Sequence, residues 1–252
     1  MVTAGIDMAA QPAKTAACVI EWGSDRAWVT QVTVGLDDGA IAAFADDRFA
    51  CVGVDCPFGW PVDFVDAVVA HRSGAPWPGR GRDQSDYRRL LRFRRTDEHV
   101  IATIGMNPLS ASSSLLGVTT MRWAAVMDAI AGGGRAVDRS GGGRFAEVYP
   151  AAALKCWGLP HGGYKGARNR AAALAQVMDA VLAEVPWLSF ADDLERMCRT
   201  VDHAFDALIA ALVARAVACR RTDGPPPEVV EEARSEGWIH LPLRARLSEL
   251  HS

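Results

Sequence analysis

The sequence predicts an α/β domain: a five-stranded mixed sheet flanked by helices, carrying a lid-like insertion. Three observations predict it. Short apolar runs near the N-terminus alternate with turn signals, two of those runs close on an aspartate, and longer segments with helical periodicity follow them. The chain reads as a single domain over residues 1–252, with the insertion at about residues 73–115.

Residues 2 to 8 form the first apolar run and contain Gly5-Ile6-Asp7. Residues 15 to 22 and 26 to 34 form the second and third, and the Gly23-Ser24-Asp25 break between them is a hairpin signal. Asp37 and Asp38 open a short helix through Phe44, since acidic residues favour a helix start. The chain returns as a fourth strand from Phe49 to Asp55, and a hairpin followed by a helical crossover implies a mixed sheet. Val62 to His71 reads as a helix. Residues 73–115 then lose periodicity, being rich in glycine, proline and arginine, and are expected to form a lid rather than a core element. Helical spacing resumes from Thr119 to Ile130, Arg144 to Tyr149 fits a fifth strand stopped by Pro150, and residues 168 to 184 form an alanine-rich helix. The last long helix spans residues 199 to 218, with Val201, Phe205, Leu208, Leu212 and Ala216 on one face and Asp202 and Asp206 together at its edge. A short acidic helix precedes a Gly237-Trp238-Ile239 tail.

Half of the residues are apolar and the formal net charge is −3, so no global basic field announces a nucleic acid, and contact with one requires a local patch. The six cysteines show neither a Cys-x-x-Cys pair nor a histidine partner at zinc spacing, and read as reduced and mostly buried. No secretory signal and no bilayer-spanning run is visible, so the expected compartment is the cytoplasm and no membrane partner is expected.

The chemistry rests on Asp7, Asp55, Asp202 and Asp206. Carboxylates at the ends of core strands and one turn apart on an apolar helix are costly unless paired or metal-bound, which points to a divalent cation held by oxygen ligands, Mg2+ or Mn2+. Asp202 alone is equally explained as a helix-start acid favoured by the dipole. Cys56, alternating to the face opposite Asp55, reads as an inert core thiol, and His203 as a neighbour of the site. The segment Arg80 to Arg95 gathers arginines able to grip phosphate, with Trp77, Tyr87 or Phe93 to stack on bases, although interleaved acids also fit a solvated helix face. Lys165 and Arg168 follow a Gly162-Gly163 turn and would add phosphate contacts. Glu147 lies within an apolar strand and is expected to pair with an arginine such as Arg95.

The order of strands, with acids closing the first and fourth and lying on a late helix, resembles the ribonuclease H-like fold, in which strands one and four are neighbours. Asp202-His203-Ala204-Phe205-Asp206-Ala207-Leu208 is similar to the terminal helix of its Holliday-junction resolvase branch, with a spacing of four in place of three. Gly5-Ile6-Asp7, Val54-Asp55-Cys56-Pro57-Phe58-Gly59-Trp60-Pro61, Arg94-Arg95-Thr96-Asp97, Glu147-Val148-Tyr149-Pro150 and the Asp202 helix together resemble the domain-of-unknown-function 429 family, over nearly the whole chain. That resemblance implies a nuclease of ribonuclease H-like fold, with a nucleic acid as partner. Asp7, Asp55, Asp202 and Asp206 would be its catalytic and metal-binding residues, and Arg94, Arg95 and Asp97 would contact substrate, with Lys165 added from its own place after the glycine turn. Two ions about 3.5–4 Å apart would activate water for phosphodiester hydrolysis. Two other readings compete: a binding module that keeps the fold without catalysis, and a nucleotide-binding phosphotransferase, disfavoured because no glycine-rich phosphate loop follows Asp7.

Overall fold

The computed structural model describes residues 1–165 and 170–251. Its strands are β1 (Val2–Asp7), β2 (Ala16–Trp22), β3 (Ala27–Val34), β4 (Cys51–Asp55), β5 (Phe145–Glu147) and β6 (Leu188–Phe190). Its helices are α1 (Asp38–Ala42), α2 (Val62–Ser73), α3 (Gln84–Arg92), α4 (Arg95–Ile104), α5 (Ser114–Gly132), α6 (Pro150–Cys156), α7 (Arg170–Glu184), α8 (Leu194–Thr200), α9 (Asp202–Ala218) and α10 (Val230–Glu236). The strands form one mixed sheet in the order β5-β4-β1-β2-β3-β6. β2 runs antiparallel to β1 and β3, whereas β4, β5 and β6 each run parallel to a neighbour.

The sheet therefore has six strands where the sequence predicts five. Leu188–Phe190 is too short to show alternation, and it becomes a strand by docking on the edge of β3: Ala27 N donates to Trp187 O and Ala191 N donates to Val29 O, both at 3.0 Å. Pro150 ends β5 but also opens α6, the first helical position being one where proline loses nothing.

Period-two alternation sorts the sheet into two faces. Ala4 and Ile6 of β1, with Val52 and Val54 of β4, pack under Trp123, Val126 and Ile130 of α5. Cys56 packs in that same cluster, buried as expected of a core thiol, and all six cysteines are free. Ala16, Cys18 and Ile20 of β2 face the opposite side, where α9 is the central helix and α7 lies in the same core. No helix among the described residues is long and apolar enough to cross a membrane.

The insertion contains regular structure. It holds α3 and α4, and Thr96, Asp97 and Val100 of α4 are buried. Glu236, at the end of α10, accepts from Val62 N at 2.8 Å and from Arg95 N at 2.7 Å, so one carboxylate satisfies donors at the starts of both α2 and α4.

Candidate metal centre

Asp7 and Asp55 end neighbouring parallel strands and are register partners, as are Gly5 and Gly53 two residues earlier. Side chains two apart share a face, so both aspartates and both glycines lie under α9. The glycines set the helix's height: a Cβ at Gly5 would stand 2.1 Å from Ala211 N and 2.2 Å from Ala207 O, and one at Gly53 2.5 Å from Ala210 O. Backbone thus rests on backbone, and Thr3 Oγ1 donates to Ala211 O at 3.1 Å. This close approach lowers Asp206, one residue before Ala207, onto the strand ends.

Carboxylate oxygens of Asp7, Asp55 and Asp206 all lie within 4.8 Å of one another. Asp206 is fully buried, Asp7 is nearly so and Asp55 is half-buried. Three hard oxygen donors that close suit one or two small divalent cations, and the trio could hold a metal ion. Among the described residues, no other group of acids, histidines and cysteines converges in this way.

Each carboxylate is held from behind. His203 Nδ1 lies 2.6 Å from Asp7 Oδ2, and that hydrogen bond raises the imidazole pKa. Tyr164 donates its hydroxyl to Asp206 Oδ1 at 2.9 Å, and Lys165 forms an ion pair with Asp206 Oδ2. Burial pushes the Asp206 carboxyl up to about 7, with Asp7 adding to the shift and Lys165 and Tyr164 opposing it. Burial likewise pushes Asp55 well above the usual carboxylate range; Asp7, Asp206 and Glu147 reinforce this while Lys165 works against it. Burial acts to lower Lys165, but Asp206, Asp55 and Asp7 outweigh it and the ammonium is raised. Three acids share one lysine and one half-exposed histidine, a surplus of negative charge that a bound cation would offset.

Two of the trio, Asp7 and Asp55, border a pocket of about 220 Å3, where they and Lys165 meet Tyr149 and the apolar Leu109 and Leu116. A fourth acid, Glu147, also borders it but is already paired. Arg94 NH1 donates to Glu147 Oε2 at 2.9 Å and to Glu236 O at 2.9 Å, and NH2 donates to Glu147 Oε1 at 2.7 Å and Asp97 Oδ1 at 3.0 Å. Its Nε donates to Asp97 Oδ2 at 3.1 Å. All five guanidinium donors are thereby engaged, and burial, which would lower the Arg94 pKa, is outweighed by Asp97 and Glu147.

The sequence-predicted residues divide accordingly. Asp7, Asp55, Asp206 and Lys165 come together. Asp202, buried at the first turn of α9, lies outside the converging trio. Arg94, read as a phosphate contact, is 2 % exposed and has no donor left for one. Asp97 is fully buried and accepts from Arg94 N at 2.9 Å, an N-terminal cap for α4. The partner of Glu147 is Arg94 and not Arg95, whose side chain is exposed. Tyr87, offered as a stacking residue, is buried edge-on against Trp77. Arg168 lies outside the described residues. Tyr164 escaped sequence reading because no spacing links it to Asp206.

The fold and site define an α/β protein with a buried acidic trio, able to hold a metal ion, at the ends of two central parallel strands. A family model described as "Protein of unknown function (DUF429)" matches residues 5–231, and the chain belongs to that family. The match stops short of the Gly237-Trp238-Ile239 tail, to which the sequence resemblance extended. Searches of curated proteins and of solved structures found no match.

Proposed function

We propose that the protein is a metal-dependent phosphodiesterase of ribonuclease H-like fold acting on nucleic acid, with Mg2+ or Mn2+ at Asp7, Asp55 and Asp206. The observation that carries this reading is the convergence of those three carboxylates beside an open pocket. The sheet order supports the fold: β1 lies between β2 and β4, and β5 lies beyond β4, with acids closing the first and fourth strands and a third on a late helix.

Bound divalent ions would neutralise phosphate charge and lower the pKa of a bound water. The protein's own groups do the positioning. Asp7, fixed through one oxygen by His203, keeps the other for a ligand, whereas Asp206 is held through one oxygen by Tyr164 and through the other by Lys165, whose place a bound cation would take. Lys165, half-exposed beside the pocket, is placed to meet a phosphate oxygen. Exposed Arg88, Arg92 and Arg95 supply cations along the insertion.

Manganese should raise the melting temperature of the wild type, by several degrees at a hundredfold excess over Kd, which corresponds to about 2.7 kcal/mol. The shift should vanish in Asp206→Asn. Asp7→Asn should keep the circular dichroism spectrum and lose Mn2+-dependent cleavage. Wild-type protein that cuts no single-stranded, duplex or branched DNA or RNA with either metal would refute the proposal.

A further inference from the structure

We infer that Lys165 holds the place of the metal in the free protein: its ammonium sits on Asp206 until a divalent cation displaces it, and it then turns to the pocket, where it meets a phosphate. This rests on the reading of Asp7, Asp55 and Asp206 as a metal centre. Lys165 forms an ion pair with Asp206 Oδ2, and it also lines the pocket together with Asp7 and Asp55. Asp206 belongs to the converging trio yet does not line that pocket. From the pocket side, Lys165 therefore stands before the acid that completes the trio.

An ammonium suits that duty. It is a compact point charge on a flexible stem, so it can fill a position suited to a spherical cation and then leave it. Asp206, Asp55 and Asp7 all act on it electrostatically, Asp206 most strongly. The molecule builds its permanent pair differently. Glu147 is held by Arg94, whose planar fork is spent on fixed partners and which is almost wholly buried. The Lys165 side chain is 51 % exposed whereas that of Asp206 is inaccessible, so release carries the ammonium toward water and costs it little desolvation.

The preceding residue keeps the released ammonium close. Tyr164 is buried, donates its hydroxyl to Asp206 Oδ1 at 2.9 Å and packs edge-on against Phe205, with 5.4 Å between ring centroids. The chain is thus anchored one residue before Lys165, and side-chain rotation suffices for the exchange. Tyr164 keeps its hold on Oδ1 throughout, so Oδ2 is the oxygen handed from nitrogen to metal. A divalent cation has twice the charge of the ammonium and coordinates carboxylate oxygens directly, so it wins a position among three acids. Metal therefore binds before phosphate, because Lys165 can meet a phosphate oxygen only after it has left Asp206.

The test reads the acetylation rate of Lys165 by peptide mass spectrometry at one fixed pH, with Lys14 and Lys155 of the same chain as internal references. Without metal, Lys165 should react more slowly than the exposed Lys14. Saturating Mg2+ should speed its acetylation about tenfold, and inorganic phosphate added to the Mg2+-loaded protein should slow it again. In Asp206→Asn, Lys165 should react fast whether or not Mg2+ is present. Wild type that melts higher with Mg2+ while Lys165 acetylation stays unchanged or slows would overturn this inference and leave the metal reading standing. Acceleration by Mg2+ that phosphate fails to reverse would overturn the turn to the pocket. No rise in melting temperature, with no change in acetylation, would overturn both readings.

Discussion

Arg94 shows how much one side chain can carry. It stands 2 % exposed between Asp97 and Glu147, and Glu147 in turn accepts from Phe58 N at 2.9 Å, which ties the turn after Asp55 to the same hub. Removing one partner of a buried pair leaves the other charge uncompensated, so Arg94→Ala should cost about 3–5 kcal/mol in urea unfolding. An exposed neighbour such as Arg88→Ala should cost less than about 0.5 kcal/mol. The sequence announces an arginine for Glu147 but not which one: Arg94 is the extended residue before α4 and Arg95 its first helical residue, so the two point different ways and only packing selects between them. Asp55 makes the opposite case. Its pKa is raised by burial, so stability is fully present below the unfolded carboxylate value and is lost as pH rises through the folded one. Its ionisation therefore opposes folding. Asp55→Asn should raise the metal-free melting temperature while abolishing the rise caused by Mn2+, a pairing of outcomes that a purely structural aspartate would not give.

Among the elements, α9 decides the geometry. Its spacing reads as one apolar face, yet the helix is buried nearly all round, with Ala204, Phe205, Leu208, Ala211 and Val213 all fully inaccessible. An apolar stripe and an apolar cylinder differ little in a sequence where alanine fills the intermediate positions. What the pattern could not convey is that Ala207, Ala210 and Ala211 lie directly on Gly5 and Gly53. Gly53→Ala forces a Cβ into Ala210 O, so the helix must rise. We expect a loss of about 1–3 kcal/mol or more, and weakened Mn2+ binding although no ligand is changed. Melting temperature with and without Mn2+ separates the two effects. The insertion teaches a related lesson: α3 and α4 were illegible because glycine, proline and arginine mask their periodicity, and α4 is held by the distant Glu236.

Across the molecule, the C-terminal tail closes the structure. Trp238 Nε1 donates to Asp223 O at 3.0 Å and His240 N donates to Glu147 O at 3.0 Å, so the tail lies beside β5 and borders the candidate centre. His240 is buried, with Nδ1 3.1 Å from Thr222 Oγ1 and Nε2 3.2 Å from Ser140 O. Burial lowers its pKa against the hydrogen bond to Ser140 and the nearby Asp138. For a depressed pKa, stability is present above the unfolded value near 6.5 and is lost as pH falls through the folded one. As pH falls below about 6.5 and through the lowered folded value the tail should therefore loosen, read as faster amide exchange at Ile239 and His240. His240→Gln should flatten that dependence. The raised carboxylates Glu147 and Glu236 act in the opposite sense, since their contribution is complete below the unfolded carboxylate value.

By itself the sequence determined the α/β class, the first four strands and the face on which Asp7 and Asp55 stand, because local alternation and turn residues encode these within a few positions. It also marked Asp206 and Lys165. Only the tertiary structure decided that Asp206 and not Asp202 joins the trio, that Arg94 braces Glu147, and that Leu188–Phe190 completes the sheet. Those outcomes depend on contacts between residues some fifty to two hundred positions apart, and on a helix-to-sheet distance set by two absent side chains, neither of which leaves a period in the chain.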